Sequence, residues 1–428
     1  VQNYFQNIIN KIRSGQASEA RSLLSVLSEP NETHLGYSSD RSRGRGMGIE
    51  RARSLHYKLK NSRAVTTGLV ADLEETALFI ENINVDVISD ITTNIIRGPL
   101  IKFTQDMCRY YGIPLVERAG AKRTWNPRMR RWEAKAFDLP VGTHGPIILI
   151  PKSIVRQKSI MNADDYYRYF IVPFLQEQEI NAGSSIVDLL RNGSLRVTKK
   201  SIKSKYGKSK ELNLSVSIQN QNILDEYRQS KSKPEDAIGH TQIADATNTD
   251  MPDWDRLLGD VVSTPKGQAD ANRYHDNVEK LLTALLYPSL DYPNKETRIH
   301  EGRKRIDITY TNIAATGFFF DIPHNEGIAL NLLPVECKNY EEEISNPELD
   351  QLAGRFNANR GWFGLLVCRK VENRAYITRK CKDAAEDDRG FMLVLDDEDL
   401  RQMVLEKKRD ADSTAFRHLA LRYNELIA

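Results

Sequence analysis

The sequence predicts a mixed α/β (α+β) protein in two parts. A mainly helical N-terminal α/β region spans 1–255, and a C-terminal mixed sheet flanked by helices spans 256–428. Three observations predict this. At roughly 100–200 residues per domain, 428 residues allow two or three domains, each able to bury its own core. The stretch RQSKSKPEDAIGHTQIADATNTDMPD at 228–253 is almost free of large apolar side chains, which places a linker over 228–255. Beyond it, short apolar runs (RIDITY, LLPVECK, GWFGLLVC, FMLVL) alternate with segments of helical period.

In the first part, residues 1–30 read as a short helical region ending near Pro30, and 31–48 as a basic loop rich in Gly and Ser. Its RGRGMG run lacks a preceding strand and a following Lys-Ser/Thr, so it reads as a flexible loop rather than a phosphate-binding one. Residues 64–112 are expected to be largely helical, with Leu69, Leu73, Leu78, Ile80, Ile95, Ile96 and Phe103 at helix-like intervals. A Gly/Pro break, VGTHGP, precedes an expected strand at IILI (147–150), and 163–192 return to helix. The alternation LNLSVSI predicts a strand within 212–223.

At 40% apolar and 28% charged residues the composition excludes wholesale disorder, and no apolar run approaches the roughly 20 residues of a membrane span. The opening VQNYFQNIINKIRSG lacks the pattern of a cleavable signal. Cys108, Cys337, Cys368 and Cys381 are scattered without CxxC spacing, which excludes a disulfide scaffold or zinc ribbon and fits a reducing cytoplasm. Charge is uneven: residues 1–250 hold 36 Lys/Arg against 27 Asp/Glu, and 251–428 hold 25 against 31. A polyanion such as DNA is therefore expected to be gripped by the first part.

Three basic clusters stand out there. The first is Arg41, Arg43, Arg45, Arg51, Arg53, Lys58, Lys60 and Arg63; the second is Lys122, Arg123, Arg128, Arg130, Arg131 and Lys135, interleaved with Trp125 and Trp132. The third is Arg196, Lys199, Lys200, Lys203, Lys205, Lys208 and Lys210, with no acid among them. Rings can stack on bases while cations meet phosphates, so the Trp-bearing cluster is the leading candidate for nucleic-acid contact. The expected DNA-binding residues are Arg123, Arg128, Arg130, Arg131, Lys199, Lys200 and Lys203.

The second part carries the chemistry. Val278, Leu281, Leu282 and Leu285 form the stripe of an amphipathic helix ended by Pro288, with Glu279 at its border. In RKRIDITY, Asp307 alternates with Ile306 and Ile308; in LLPVECKNY, period two puts Glu336 and Lys338 on one face and Val335 and Cys337 on the other. Asn346-Pro347 then opens a helix, with Asn346 as its expected cap, on which Gln351 and Arg355 share a flanking face. Hydrolysis of a phosphodiester requires a hard cation on oxygen ligands, an activated water and charge stabilisation at phosphorus. Asp307 and Glu336 are suited to bind Mg²⁺, with the Cys337 backbone carbonyl as a third oxygen. Lys338 would orient the water or offset developing charge, Glu279 would hold a further ligand or water, and Gln351 would bond to the lysine, the water or a phosphate.

This order of helix Glu279, strand Asp307, strand Glu336-x-Lys338 and helix Gln351 resembles the PD-(D/E)xK nuclease superfamily over roughly 270–400. The resemblance implies a restriction-endonuclease-like mixed sheet with catalytic Asp307, Glu336, Lys338, Glu279 and Gln351, and Mg²⁺ as cofactor with Mn²⁺ as a substitute. It implies a metal-dependent endonuclease of DNA in a bacterial restriction or antiphage setting; because a double-strand break with one site per chain needs two copies or two binding events, a homodimer is expected, with a separate ATPase or helicase as a candidate partner. Two departures are visible: 29 positions separate Asp307 from Glu336, and Ile306 stands where a proline is frequent. The competing readings are a non-catalytic DNA-binding or assembly subunit that keeps the fold, and a nuclease of repair or of RNA. Asp321, His324 and Glu326 in DIPHNEG read as a surface loop, Glu341-Glu342-Glu343 as a solvated loop, and Cys337 as a packed thiol.

Overall fold

Long-range contacts divide the chain into two units, residues 1–151 with 156–233 and residues 152–155 with 234–428. The computed structural model describes all residues except 29, 34–48, 144, 156–160, 191–193, 232–236 and 300–303. The expected basic loop, with Arg41, Arg43, Arg45 and RGRGMG, lies outside the described residues.

The first unit is mainly helical. Helix α1 (Gln2–Arg13) buries Tyr4, Phe5, Ile8, Ile9 and Ile12, a face repeating at helical period, and α2 (Ala17–Leu24) and α3 (Ile49–Asn61) follow. The long α4 (Val85–Tyr111) starts where the Asn84 side chain accepts a bond from Val87 N–H at 3.1 Å and ends at Gly112, whose φ of 66° suits glycine. Strands β1 (Val116–Asn126) and β2 (Arg131–Leu139) form an antiparallel hairpin with Trp125 opposite Trp132. Helices α5 (Val172–Asn181), α6 (Lys199–Tyr206), α7 (Lys210–Gln219) and α8 (Gln221–Lys231) complete it.

Two expected strands are absent. LNLSVSI lies in α7, whose Asn213, Leu214, Val216 and Ser217 are buried at helical spacing. Inside, Ser217 Oγ donates to the Asn213 carbonyl at 2.6 Å and contacts Tyr166 OH at 2.7 Å, and Asn213 Nδ2 donates to the Ala163 carbonyl at 3.3 Å. A helix face that buries polar residues imitates strand alternation. IILI is extended but unpaired as a ladder: Ile148 N–H donates to the Glu32 carbonyl at 2.7 Å and Leu149 N–H to Thr104 Oγ1 at 2.9 Å. The helix expected through 192 ends at Asn181.

The second unit begins at Pro234, and part of the expected linker is structured as α9 (His240–Thr247). Few apolar side chains are needed because hydrogen bonds hold the segment: His240 Nε2 contacts the Ala284 carbonyl at 2.9 Å and Tyr287 OH donates to the Ile238 carbonyl at 2.6 Å. Helix α10 (Trp254–Val262) leads to α11 (Ala271–Leu286), where Val278, Leu281, Leu282 and Leu285 are fully buried, each contributing roughly 1.5–3 kcal/mol. Then come β3 (Leu290–Ile299), β4 (Lys304–Asn312), α12 (Phe318–His324), β5 (Leu332–Lys338), α13 (Asn346–Ala353), β6 (Phe363–Cys368), α14 (Arg374–Glu386), β7 (Phe391–Leu395), α15 (Asp397–Arg409) and α16 (Arg417–Ile427). The mixed sheet runs β7-β6-β5-β4-β3, with β5, β6 and β7 parallel and β3, β4 and β5 antiparallel. Helices cross between the parallel strands, as parallel pairing requires. Ser345, rather than the expected Asn346, caps α13: Glu348 reaches back to Ser345 N–H at 2.9 Å in a capping box.

Candidate active site

Strand β5 is central, between β4 and β6, and every residue from Leu333 to Lys338 is buried. Val335 and Cys337 join the apolar core, so period two turns Glu336 and Lys338 the other way. Both are polar groups in a strand interior, with Glu336 at 0% exposure and Lys338 at 8%. Burial of this kind is costly unless the groups are paired.

The pairing is extensive. The β4–β5 ladder runs from Thr311↔Leu332 to Ile308↔Val335. Just beyond it, Asp307 Oδ2 accepts from Cys337 N–H at 2.9 Å, so the carboxylate takes up the main chain between Glu336 and Lys338. Glu336 Oε1 accepts from Arg355 Nε at 2.7 Å and Oε2 from Gln351 Nε2 at 2.7 Å. Lys338 Nζ donates to Gln351 Oε1 at 2.8 Å and lies 3.9 Å from Glu336 Oε2. Gln351 thus joins acid and lysine through its two amide ends. Burial and the like charge of Asp307 push the Glu336 carboxyl up to about 7, against the opposing pull of Arg355 and Lys338.

Of the sequence-derived residues, Asp307, Glu336, Lys338 and Gln351 are therefore brought together. Glu279 is buried on α11, where Thr283 Oγ1 donates to its Oε1 at 3.1 Å and Lys295 Nζ lies 3.7 Å from Oε2. The Cys337 carbonyl accepts from His275 Nε2 at 3.1 Å. Sequence reasoning assigned no role to His275 or to Arg355. Each stands four residues from a residue it did single out, Glu279 and Gln351, and that helical spacing was the available signal. Asp321 and His324 lie in α12 instead of a loop; His324 stacks on Phe320 and bonds to its carbonyl at 2.8 Å.

As a metal centre the donor set fits Mg²⁺ in kind: two carboxylates and a main-chain carbonyl, all hard oxygens, for an ion that keeps several waters. Each Glu336 oxygen accepts one of the bonds above and has a second lone pair, which leaves acceptor capacity. Among the described residues, no group of three or more His, Cys, Asp or Glu side chains is gathered closely enough to hold a metal. The four cysteines are free and buried, and burial drives the Cys337 thiol far above its usual range.

In the first unit, Arg128, Arg130 and Arg131 are exposed at the turn between β1 and β2, and Arg123 is exposed on β1. The tryptophans between them are not exposed for stacking on bases. Trp125 is 8% exposed, edge-on to Tyr4, and Trp132 donates Nε1–H to the Leu23 carbonyl at 3.0 Å. A hairpin whose outer face is cationic turns its rings into the helical core. In the third cluster, Lys199, Lys200 and Lys203 are exposed on α6, whereas Lys205 bonds Glu179, Lys208 pairs with Asp164 and Lys210 donates to the carbonyls of Ile80 and Ile83.

Residues 1–162 match a family model described as a domain of unknown function (DUF8370), a region that ends before the site just described. No curated protein and no solved structure matches the chain. No helix among the described residues is long and apolar enough to cross a membrane.

Proposed function

We propose that this protein is a Mg²⁺-dependent endonuclease that hydrolyses DNA phosphodiester bonds. The observation that carries the reading is the Asp307–Glu336–Lys338 grouping: two mutually repelling carboxylates and a lysine at the end of the β4–β5 ladder, in the order that resembles PD-(D/E)xK nucleases. Asp307, Glu336 and the Cys337 carbonyl would hold the ion, which supplies positive charge against the phosphate. Lys338, held by Gln351, directs its ammonium toward developing charge or the attacking water. Arg128, Arg130, Arg131, Lys199, Lys200 and Lys203 offer phosphate contacts. Lys199 and Lys200 stand in the first turn of α6, where the helix dipole disfavours cations and a bound polyanion would offset the cost.

The resemblance supports a bacterial restriction or antiphage setting; scattered cysteines fit the cytoplasm, a double-strand break with one site per chain calls for two copies, and a separate ATPase or helicase is a candidate partner. A second reading, a non-catalytic DNA-binding subunit, is favoured by one observation: both Glu336 oxygens already accept hydrogen bonds, from Arg355 and Gln351.

Cleavage of supercoiled and linear DNA with Mg²⁺ or with a chelator tests the two. The wild type is expected to cut, with Asp307→Ala and Lys338→Ala slower by about 100-fold or more. Equal cutting by Lys338→Ala removes the catalytic assignment, and binding without cutting by the wild type establishes the second reading. Parallel single-stranded, flap and RNA substrates separate defence-type cleavage of duplex DNA from repair or RNA processing.

A further inference from the structure

The first unit contains an open cationic pocket of about 550 Å³, lined by Ser25, Val26, Ser28, Arg97, Arg123 and Lys135 with small side chains of β2, of which only Arg123 belongs to the expected DNA contacts. Its construction is local. Asn94, fully buried on α4, accepts from Ser28 N–H at 3.2 Å and donates to the Ser28 carbonyl at 2.6 Å, pinning the turn after α2 to the helix. Arg97 follows three residues later, with its side chain 3% exposed. Its Nε lies 3.1 Å from Glu32 Oε1 and its Nη1 donates to the Arg123 carbonyl at 3.4 Å, so the guanidinium is fixed from two sides. The Glu32 contact is an ion pair without hydrogen-bond geometry, so both Nε and Nη2 lack a hydrogen-bond partner among the described residues. A buried guanidinium N–H without an acceptor is costly, and Arg97 is one of the three cations that line the pocket.

We propose that this pocket is a phosphate-binding site, with Arg97, Arg123 and Lys135 as its cations and the Ser28 hydroxyl as a further donor, the Ser25 hydroxyl being already donated to the Ser22 carbonyl at 2.8 Å. Among the described residues two carboxylates face these three cations, Glu32 against Arg97 and Glu133 at 3.1 Å from Lys135 Nζ. Burial holds the Arg97 pKa below its usual value despite Glu32, a penalty that an added anion relieves. A phosphate presents several acceptor oxygens to the planar donor fork of arginine. The volume exceeds a bare phosphate and lies in the range of small-molecule sites, so the group arrives on a free nucleotide or as the 5′-phosphate of a nucleic-acid end. The whole site falls within residues 1–162, the region matched by the domain of unknown function, and stands independently of the nuclease reading.

The test uses the full chain with a chelator present, so that cleavage plays no part. Inorganic phosphate, titrated against chloride at matched ionic strength, is expected to give saturable heat and a rise in melting temperature. Arg123→Ala and Lys135→Ala, both at the surface of the site, are expected to weaken binding by about tenfold each. Absence of a saturable response in the wild type overturns the proposal, as does an equal response in the variants. Oligonucleotides with 5′-phosphate and 5′-hydroxyl ends separate the sources. Tighter binding of the phosphorylated end, lost in the variants, assigns the nucleic-acid terminus. Equal binding of the two, with phosphate-sensitive binding of a mononucleotide, assigns the free ligand. Failure of both overturns the site.

Discussion

The two units use charged side chains in opposite ways. In the first, the candidate DNA contacts Arg128, Arg130, Arg131, Lys199, Lys200 and Lys203 are exposed, on a hairpin turn and one face of a short helix. In the second, Glu336, Lys338 and Arg355 are at most 8% exposed; Arg355 bonds Glu336 directly, and Gln351 joins Glu336 to Lys338. Exposed cations cost the fold little, so their value lies in what they attract. A buried acid with two cations is held against a large desolvation penalty and collapses in stability when one member is removed. Changes in the second unit should therefore alter folding, and changes on the surface of the first should alter polyanion binding alone.

The largest effect is expected at Arg355. Replacing it with alanine strips Glu336 of its guanidinium and is expected to cost about 3–5 kcal/mol above pH 7, where the acid is ionised. The pH dependence has a definite sign. The folded state holds the Glu336 proton up to about pH 7, whereas the unfolded chain releases it near 4.5. Wild-type stability attributable to this group therefore falls as pH rises through that window. In Arg355→Ala the loss should shrink below pH 7, because a protonated acid needs no counter-charge, and adding Glu336→Gln should restore much of it. Denaturant unfolding at pH 5.5 and pH 8 measures this; a loss equal at both pH values would break the contrast between the units.

Trp125 sharpens the contrast from the other side. Its ring packs on Tyr4 and Trp132 inside the first unit, so Trp125→Ala should destabilise that unit by about 3–5 kcal/mol. DNA affinity measured well below the melting temperature should stay near wild type. A stable variant that has lost DNA binding would return the ring to base stacking.

The inward ring carries the general lesson. TWNPRMRRWE places aromatic and basic residues side by side whether the rings face bases or core, and only the partner helix, with Tyr4, decides. Asp307, Glu336 and Lys338 were legible because they interrupt apolar strands, where period two leaves no surface explanation. Arg355 and His275 were not, since a polar residue on a helix flank is ordinary until the strand beneath it is known. The same reasoning covers Asn213 and Ser217: polar residues are expected outside, and two buried ones turned a helix into an apparent strand. The sheet itself was readable from apolar run lengths, while IILI shows that such a run can serve a small core without joining a ladder.

The smallest expected effect separates grip from fold most cleanly. Arg130 and Arg131 flank the hairpin turn and are exposed, with Arg131 Nε 3.6 Å from Glu133, an interaction too loose and solvated to matter for stability. Replacing both with alanine should leave the melting temperature within about 2–4 °C, since surface changes of this kind stay within roughly 0.5 kcal/mol each. If each arginine neutralises one phosphate, the slope of log affinity against log salt should fall by about 0.9 per residue. The measured slope distinguishes three outcomes. A fall near 1.8 for the pair places both side chains on phosphates, by the same rule. Half that value assigns one of them, and the two single replacements show which. An unchanged slope moves the grip to the lysines of α6, where the same measurement on Lys199→Ala and Lys200→Ala applies.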